Sequence, residues 1–123
     1  MARGDVLLVA LPTSDQREQS GKRPAVAVQA DIAGEPMLMV APVTSNQAAL
    51  RFTFAVPVNP TPQNGLTVPS VVLVFQLRAI DKRRIIRKLG ELSEEDIARV
   101  DAEIWRMLRP PTSAQSENED GED

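Results

Sequence analysis

The chain of 123 residues is 42% hydrophobic and 25% charged, the balance of one soluble globular domain with a single core. It has no cysteine and no histidine, which excludes disulfides, zinc sites of the usual kind, thiol nucleophiles and any mechanism that needs an imidazole base. The formal charge of −3 conceals an asymmetry: Glu117, Glu119, Asp120, Glu122 and Asp123 crowd the last stretch, and without them 14 Lys and Arg face 12 Asp and Glu. Such a mildly basic body permits an anionic partner.

With three Phe, one Trp and no Tyr, base stacking is not expected to dominate any contact with nucleic acid. No apolar run approaches the ~20 residues of a membrane span. Met1-Ala2-Arg3-Gly4-Asp5 has no signal-peptide pattern, so the expected compartment is the cytoplasm.

Val6 to Leu11 is a nearly continuous apolar run and reads as a central strand, ended by Pro12. Thr13 to Ser20 is polar and aperiodic, a surface loop carrying Arg17 and Gln19. Gly21-Lys22-Arg23-Pro24 then leads into the alternating run Ala25 to Gln29, a buried strand. Pro24 has no backbone donor and is expected at the first residue of that strand. It biases Arg23 towards an extended conformation, at the mouth of the strand. A guanidinium held there suits a phosphate, which it can clamp with two parallel hydrogen bonds, although most such arginines are solvated or paired.

Met37 to Ala41 is a third strand, followed by Pro42-Val43-Thr44-Ser45-Asn46. Thr and Ser at a strand end usually cap turns; the functional reading is that Thr44 and Ser45 offer hydroxyls to a phosphate beside Arg23, if strands two and three pair. Phe52 to Val56 alternates as a fourth strand, after a loop carrying Arg51. Residues 57–69 form a long connection rich in Pro, Asn and Gly. Ser70 to Asp81 is the longest strand signal, and its polar Gln76 and Arg78, two apart, share a face.

Lys82, Arg83, Arg84, Arg87 and Lys88 alternate with Ile85, Ile86 and Leu89 in a turn and a return strand up to Leu92. Their charges read as a solvated face. Ser93 caps one clear helix, with Glu94 and Glu95 at its positive end. Ile97, Val100, Ile104, Met107 and Leu108 mark its buried stripe, and Pro110-Pro111 stops it. Trp105 is expected to pack on the sheet rather than anchor a partner. Residues 112–123 have no apolar cluster and are expected to be disordered. The fold that follows is a strongly bent antiparallel sheet closed by one helix, a barrel-like α+β domain.

Several stretches, in this order and spacing, resemble the MazF/PemK toxins of bacterial type II toxin–antitoxin systems. They are Arg3-Gly4-Asp5-Val6, Glu18-Gln19-Ser20-Gly21-Lys22-Arg23-Pro24, Ala41-Pro42-Val43-Thr44-Ser45-Asn46, Ser70-Val71-Val72, Gln76-Leu77-Arg78-Ala79-Ile80-Asp81-Lys82-Arg83, and Lys88-Leu89-Gly90 with the Leu92-Ser93 helix start. The resemblance implies an SH3-like small antiparallel β-barrel with a C-terminal α-helix over residues 1–109, an acidic disordered tail over 110–123, and a homodimer. It implies a sequence-specific endoribonuclease that cuts single-stranded RNA without metal or cofactor. The ribose 2′-hydroxyl would be the nucleophile, leaving a 2′,3′-cyclic phosphate and a 5′-hydroxyl.

By the same resemblance Arg23 and Thr44 would be catalytic, Arg23 neutralising the phosphate and sharing in proton transfer, Thr44 donating to a non-bridging oxygen. Arg17, Gln19, Lys22, Ser45, Asn46, Arg51, Gln76 and Arg78 would bind RNA. A cognate antitoxin would lay an acidic C-terminal segment in the same groove, operator DNA would be bound only by the toxin–antitoxin complex, and no membrane would be involved. The chain departs from members of the PemK type, which carry an acidic residue at Phe75, Arg at Leu73 and His at Arg17. Its residues therefore support the Arg23/Thr44 version of the chemistry. Two other readings stay open: a barrel that binds a protein target through Trp105, and a silent relative that buffers the antitoxin.

Overall fold

The computed structural model describes residues 1–10 and 21–109. The loop expected over 13–20 and the tail expected over 110–123 lie outside them. The elements run β1 (Asp5–Ala10), β2 (Lys22–Ala27), β3 (Met37–Thr44), β4 (Ala55–Val58), β5 (Ser70–Leu73), β6 (Arg78–Asp81), β7 (Ile85–Glu91) and α1 (Glu94–Leu108). Short 3₁₀ turns occupy Gln47–Arg51, Val74–Gln76 and Lys82–Arg84. The sheet runs β4-β5-β3-β2-β1-β7, with β6 on β3, every pairing antiparallel. No ladder joins β4 to β7 among the described residues; instead the loop leaving β4 reaches β7, where Glu91 N–H donates to Gln63 O at 2.8 Å. This is the barrel-like α+β domain expected from the sequence.

Alternation divides most of the apolar residues between two cores, with a smaller third cluster at Ala49, Val71 and Leu73. Val6, Val26, Ala41, Val43, Val56, Val72 and Val74 face the interior beneath α1, whose Val100 is buried among them. Leu7, Val9, Ala25, Ala27, Leu38, Val40 and Ile80 form the core on the opposite face. Ser93 caps α1 as expected, its hydroxyl accepting from Asp96 N–H at 3.1 Å, and Ile97, Ile104 and Met107 pack on the interior core. Leu108 and Trp105 do not follow the expectation: they are 67% and 65% exposed. The 97, 100, 104, 107 spacing fixes which side of the helix is buried, and positions 105 and 108 turn away from it.

Strand boundaries also differ, and β3 runs on through Thr44 where the sequence reading ended it at Ala41. β2 begins at Lys22, so Pro24 is its third residue. Residues 52–54 are not strand: Phe54 sits at φ +64°, in a region costly for a bulky side chain, and β4 begins only at Ala55. The run from Ser70 to Asp81 breaks at the 74–76 turn, where Val74 and Phe75 N–H both donate to Phe54 O, at 3.0 and 3.3 Å. One kinked residue thereby terminates two apparent strands.

The 57–69 connection is built around Asn64, which is buried. Its Oδ1 accepts from Thr61 and Leu66 N–H at 3.0 and 2.9 Å, and its Nδ2 donates to Asn59 O at 2.9 Å. Two glycines let this loop lie against β7. A Cβ on Gly65, at φ +73°, would collide with Leu89 O, and one on Gly90 with Gln63 O. Among the described residues no helix is long and apolar enough to cross a membrane.

Two outcomes follow from these contacts. Asn64→Ala removes the acceptor of the partly buried hydrogen bonds from Thr61 and Leu66 N–H and the donor to Asn59 O, and should lower unfolding stability by about 2 kcal/mol. Ser93→Ala should cost about 1 kcal/mol, the usual value of a helix cap. Urea unfolding of each variant beside the wild type measures both.

Candidate active site

The register of β2 against β3 explains why a cleft opens here. Val28 N–H donates to Met39 O at 3.1 Å, which makes 28/39 and 26/41 the hydrogen-bonded pairs. The next such pair would be 24/43, and Pro24 has no N–H with which to close it. The ladder accordingly stops at Ala25↔Pro42. Beyond that point β2 continues along β1, with Val9↔Arg23 and Ala10↔Lys22, while β3 continues along β5, with Val43↔Val72 and Thr44↔Val71. The strands part with Arg23 on one bank and Thr44 on the other.

Two adjoining pockets fill the parting. One, of about 380 Å³, is lined by Arg23, Thr44, Asn46, Arg51, Phe52, Phe75, Gln76 and Arg78, among others. The other, of about 310 Å³, is lined by Lys22, Arg23, Thr44, Ser45 and the 66–68 stretch of the Asn64 loop. Arg23 and Thr44 belong to both and form their common wall. Every candidate among the described residues is thus brought to one cleft: Arg23, Thr44, Lys22, Ser45, Asn46, Arg51, Gln76 and Arg78. Arg17 and Gln19 fall outside the described residues.

Gln76 and Arg78 reach the cleft by a route that strand alternation does not give, since Gln76 lies in the 74–76 turn and Arg78 opens β6. Thr44 Oγ1 accepts from Asn46 N–H at 3.1 Å, a bond that uses an acceptor lone pair and leaves the hydroxyl proton to be donated elsewhere. Asn46 Oδ1 caps the 47–51 turn by accepting from Ala48 N–H at 3.0 Å. Its Nδ2 therefore remains a donor. Neither pocket is lined by a described Asp or Glu, while Lys22, Arg23, Arg51 and Arg78 supply four cations. A cleft so lined favours an anion.

Sequence reasoning did not place Phe52 in this cleft, and it treated Phe75 only as a departure from the PemK type. Their ring centroids lie 5.2 Å apart with planes at 50°, they are 45% and 37% exposed, and the Arg51 guanidinium stands 5.0 Å from the Phe52 centroid. The signal for Phe75 is the poor fit of a Phe-Gln pair within an otherwise aliphatic run, and Phe52 has no such signal.

A family model described as "PemK-like, MazF-like toxin of type II toxin-antitoxin system" matches residues 2–108. Endoribonuclease EndoA of Bacillus subtilis is 33% identical over 108 residues, covering 86% of this chain and 92% of that protein. Among solved structures, MazF of Deinococcus radiodurans superposes with a TM-score of 0.68 at 26% identity, covering 88% of this chain and 96% of the other. A MazE-MazF structure from the same organism gives a TM-score of 0.69 at 22% identity, covering 90% and 97%. With a matched span that takes in nearly all the described residues, the chain belongs to the PemK-like, MazF-like toxins of type II toxin–antitoxin systems.

Proposed function

We propose that this chain is the endoribonuclease toxin of its pair, cutting single-stranded RNA at a short sequence motif without a metal ion. The observation that carries the reading is that Arg23 and Thr44 share the wall between two cation-lined pockets. An RNA strand crossing that wall brings one phosphodiester past a guanidinium and a hydroxyl together, with further cations on either side. The endoribonuclease name of the B. subtilis relative supports the same conclusion.

In this reading the ribose 2′-oxygen attacks the adjacent phosphorus and the bond to the 5′-oxygen of the next nucleoside breaks. The 2′-hydroxyl loses a proton and the leaving oxygen gains one, giving a 2′,3′-cyclic phosphate and a 5′-hydroxyl. Negative charge grows on the non-bridging oxygens in the transition state, where preorganised donors act most strongly. Arg23 neutralises that charge and Thr44 donates a hydrogen bond to it. Arginine stays protonated in proteins, so Arg23 works as a fixed cation. Lys22, Arg51 and Arg78 hold flanking phosphates, and Ser45, Asn46 and Gln76 meet sugar and base edges. Arg17 and Gln19 are assigned to RNA binding by family resemblance alone.

The protein acts in the cytoplasm as a homodimer and is silenced by a cognate antitoxin, whose acidic segment competes for the same cations. The MazE-MazF structure among its neighbours supports that partner.

The test is digestion of a long unstructured RNA in EDTA, with the cut ends mapped. Wild-type protein should cut at one recurring motif and leave 5′-hydroxyl ends. Arg23→Ala should lower the rate by about 10²–10³, the usual loss for one transition-state donor, and Thr44→Val should fall at the lower end of that range. Cutting by Arg23→Ala at the wild-type rate would remove the basis of the assignment. In a separate titration, Lys22→Ala should flatten the dependence of log affinity on log salt by about 0.7, the value of one phosphate contact on a single strand.

A further inference from the structure

We propose that Phe75, with Phe52 beside it, forms a nucleobase-stacking subsite in the larger pocket, and that this pair helps set which RNA sequence is cut. The proposal rests on the nuclease reading above and adds to it a contact that the scarcity of aromatic residues argued against. Single exposed apolar side chains are ordinary, but two phenylalanine rings in contact make an exposed apolar patch, the kind of surface that marks a binding site. Here two of the three in the chain converge in one cleft. Their neighbours there are Arg23, Arg51 and Arg78 for phosphates, and Asn46 and Gln76 for polar edges. An aromatic face flanked by cations and amides is the composition of a site for single-stranded nucleic acid.

The geometry separates the roles of the two rings. At 50° they cannot both lie flat against one base. Phe52 already carries the Arg51 guanidinium near its ring, so it serves as an edge and positions that cation for a neighbouring phosphate. Phe75 supplies the stacking face. Its placement is built into the backbone: the Phe54 carbonyl, at a residue of positive φ, accepts Phe75 N–H and ties down the 74–76 turn, and the Arg106 guanidinium stands 5.4 Å from the Phe54 ring centroid. Gln76 follows directly in the same turn, so stacking and edge recognition come from adjacent residues.

The experiment measures binding of a short fluorescent RNA containing the cleavage motif, with a 2′-deoxyribose at the cut so that no attack occurs. An abasic residue is moved along it position by position, and wild type, Phe75→Leu and Phe75→Tyr are compared after thermal melts confirm that each is folded. One abasic position should cost the wild type about ten-fold in affinity, a usual value for a base on an aromatic ring. Phe75→Leu, which keeps an apolar side chain but loses the ring, should show the same loss and no further penalty at that position. Phe75→Tyr should bind as the wild type does, and Phe52→Leu should lose less than Phe75→Leu. Identical abasic profiles for wild type and Phe75→Leu, on a protein that cuts RNA, would overturn the subsite alone. Failure of the wild type to bind or cut any RNA would overturn the nuclease reading together with it. A Phe75→Leu defect confined to antitoxin binding would assign the surface to a protein side chain and also overturn the proposal.

Discussion

The parting of β2 from β3 governs this molecule. It arises from one missing proton: at the point where the ladder should make its next closed pair, Pro24 has nothing to donate. Past that point each strand keeps only the partner on its far edge, β2 on β1 and β3 on β5. β3 can change partners because its second edge is itself divided, held by β6 up to Val40 and by β5 from Val43. Pro42 sits in that gap, its nitrogen directed by the same alternation to the edge where no ladder bond is required. Two prolines on facing strands therefore stand where the ladder between β2 and β3 ends and where β3 changes from β6 to β5.

Much of the cleft was legible in the sequence because it depends on local chemistry. Arg23 before a proline, Thr44 at the end of an apolar run, and Ser93 before an acidic first turn each announce their place through backbone preference. The parts that were not legible depend on contacts remote in sequence. Nothing local in Phe52-Thr53-Phe54 says that the chain will kink through φ +64°, since that conformation is held by the turn at 74–76. The same contact breaks what reads as a single strand from Ser70 to Asp81. Asn64 looked like an ordinary loop residue, and only its burial reveals that it organises the loop around itself. Trp105 was misplaced for another reason: an aromatic residue within an amphipathic helix invites burial, but the angular position at 105 lies off the packed side.

The charge distribution has its own logic. The cleft gathers Lys22, Arg23, Arg51 and Arg78, and elsewhere on the described surface several basic residues stand beside close acidic partners. Arg83 holds Asp81 down to about 2, Arg99 meets Asp96, and Arg106 meets Glu103. Surface pairs of this kind add little stability. Their effect is to balance charge locally on the surface away from the cleft, in a chain whose formal charge is negative.

The two pockets that meet at Arg23 and Thr44 are made in different ways. The wall near residues 66–68 depends on main-chain contact, with Gly65 and Gly90 letting the loop touch β7 and Asn64 tying its turns together. The opposite wall presents side chains, Phe52, Phe75 and Gln76, on a backbone that other residues hold in place. Point substitution is therefore obstructed on one side and cheap on the other. On the reading proposed above, a lineage of such proteins would be free to change what it recognises by exchanging residues at 52, 75 and 76, while the main-chain wall of the groove stayed as it is.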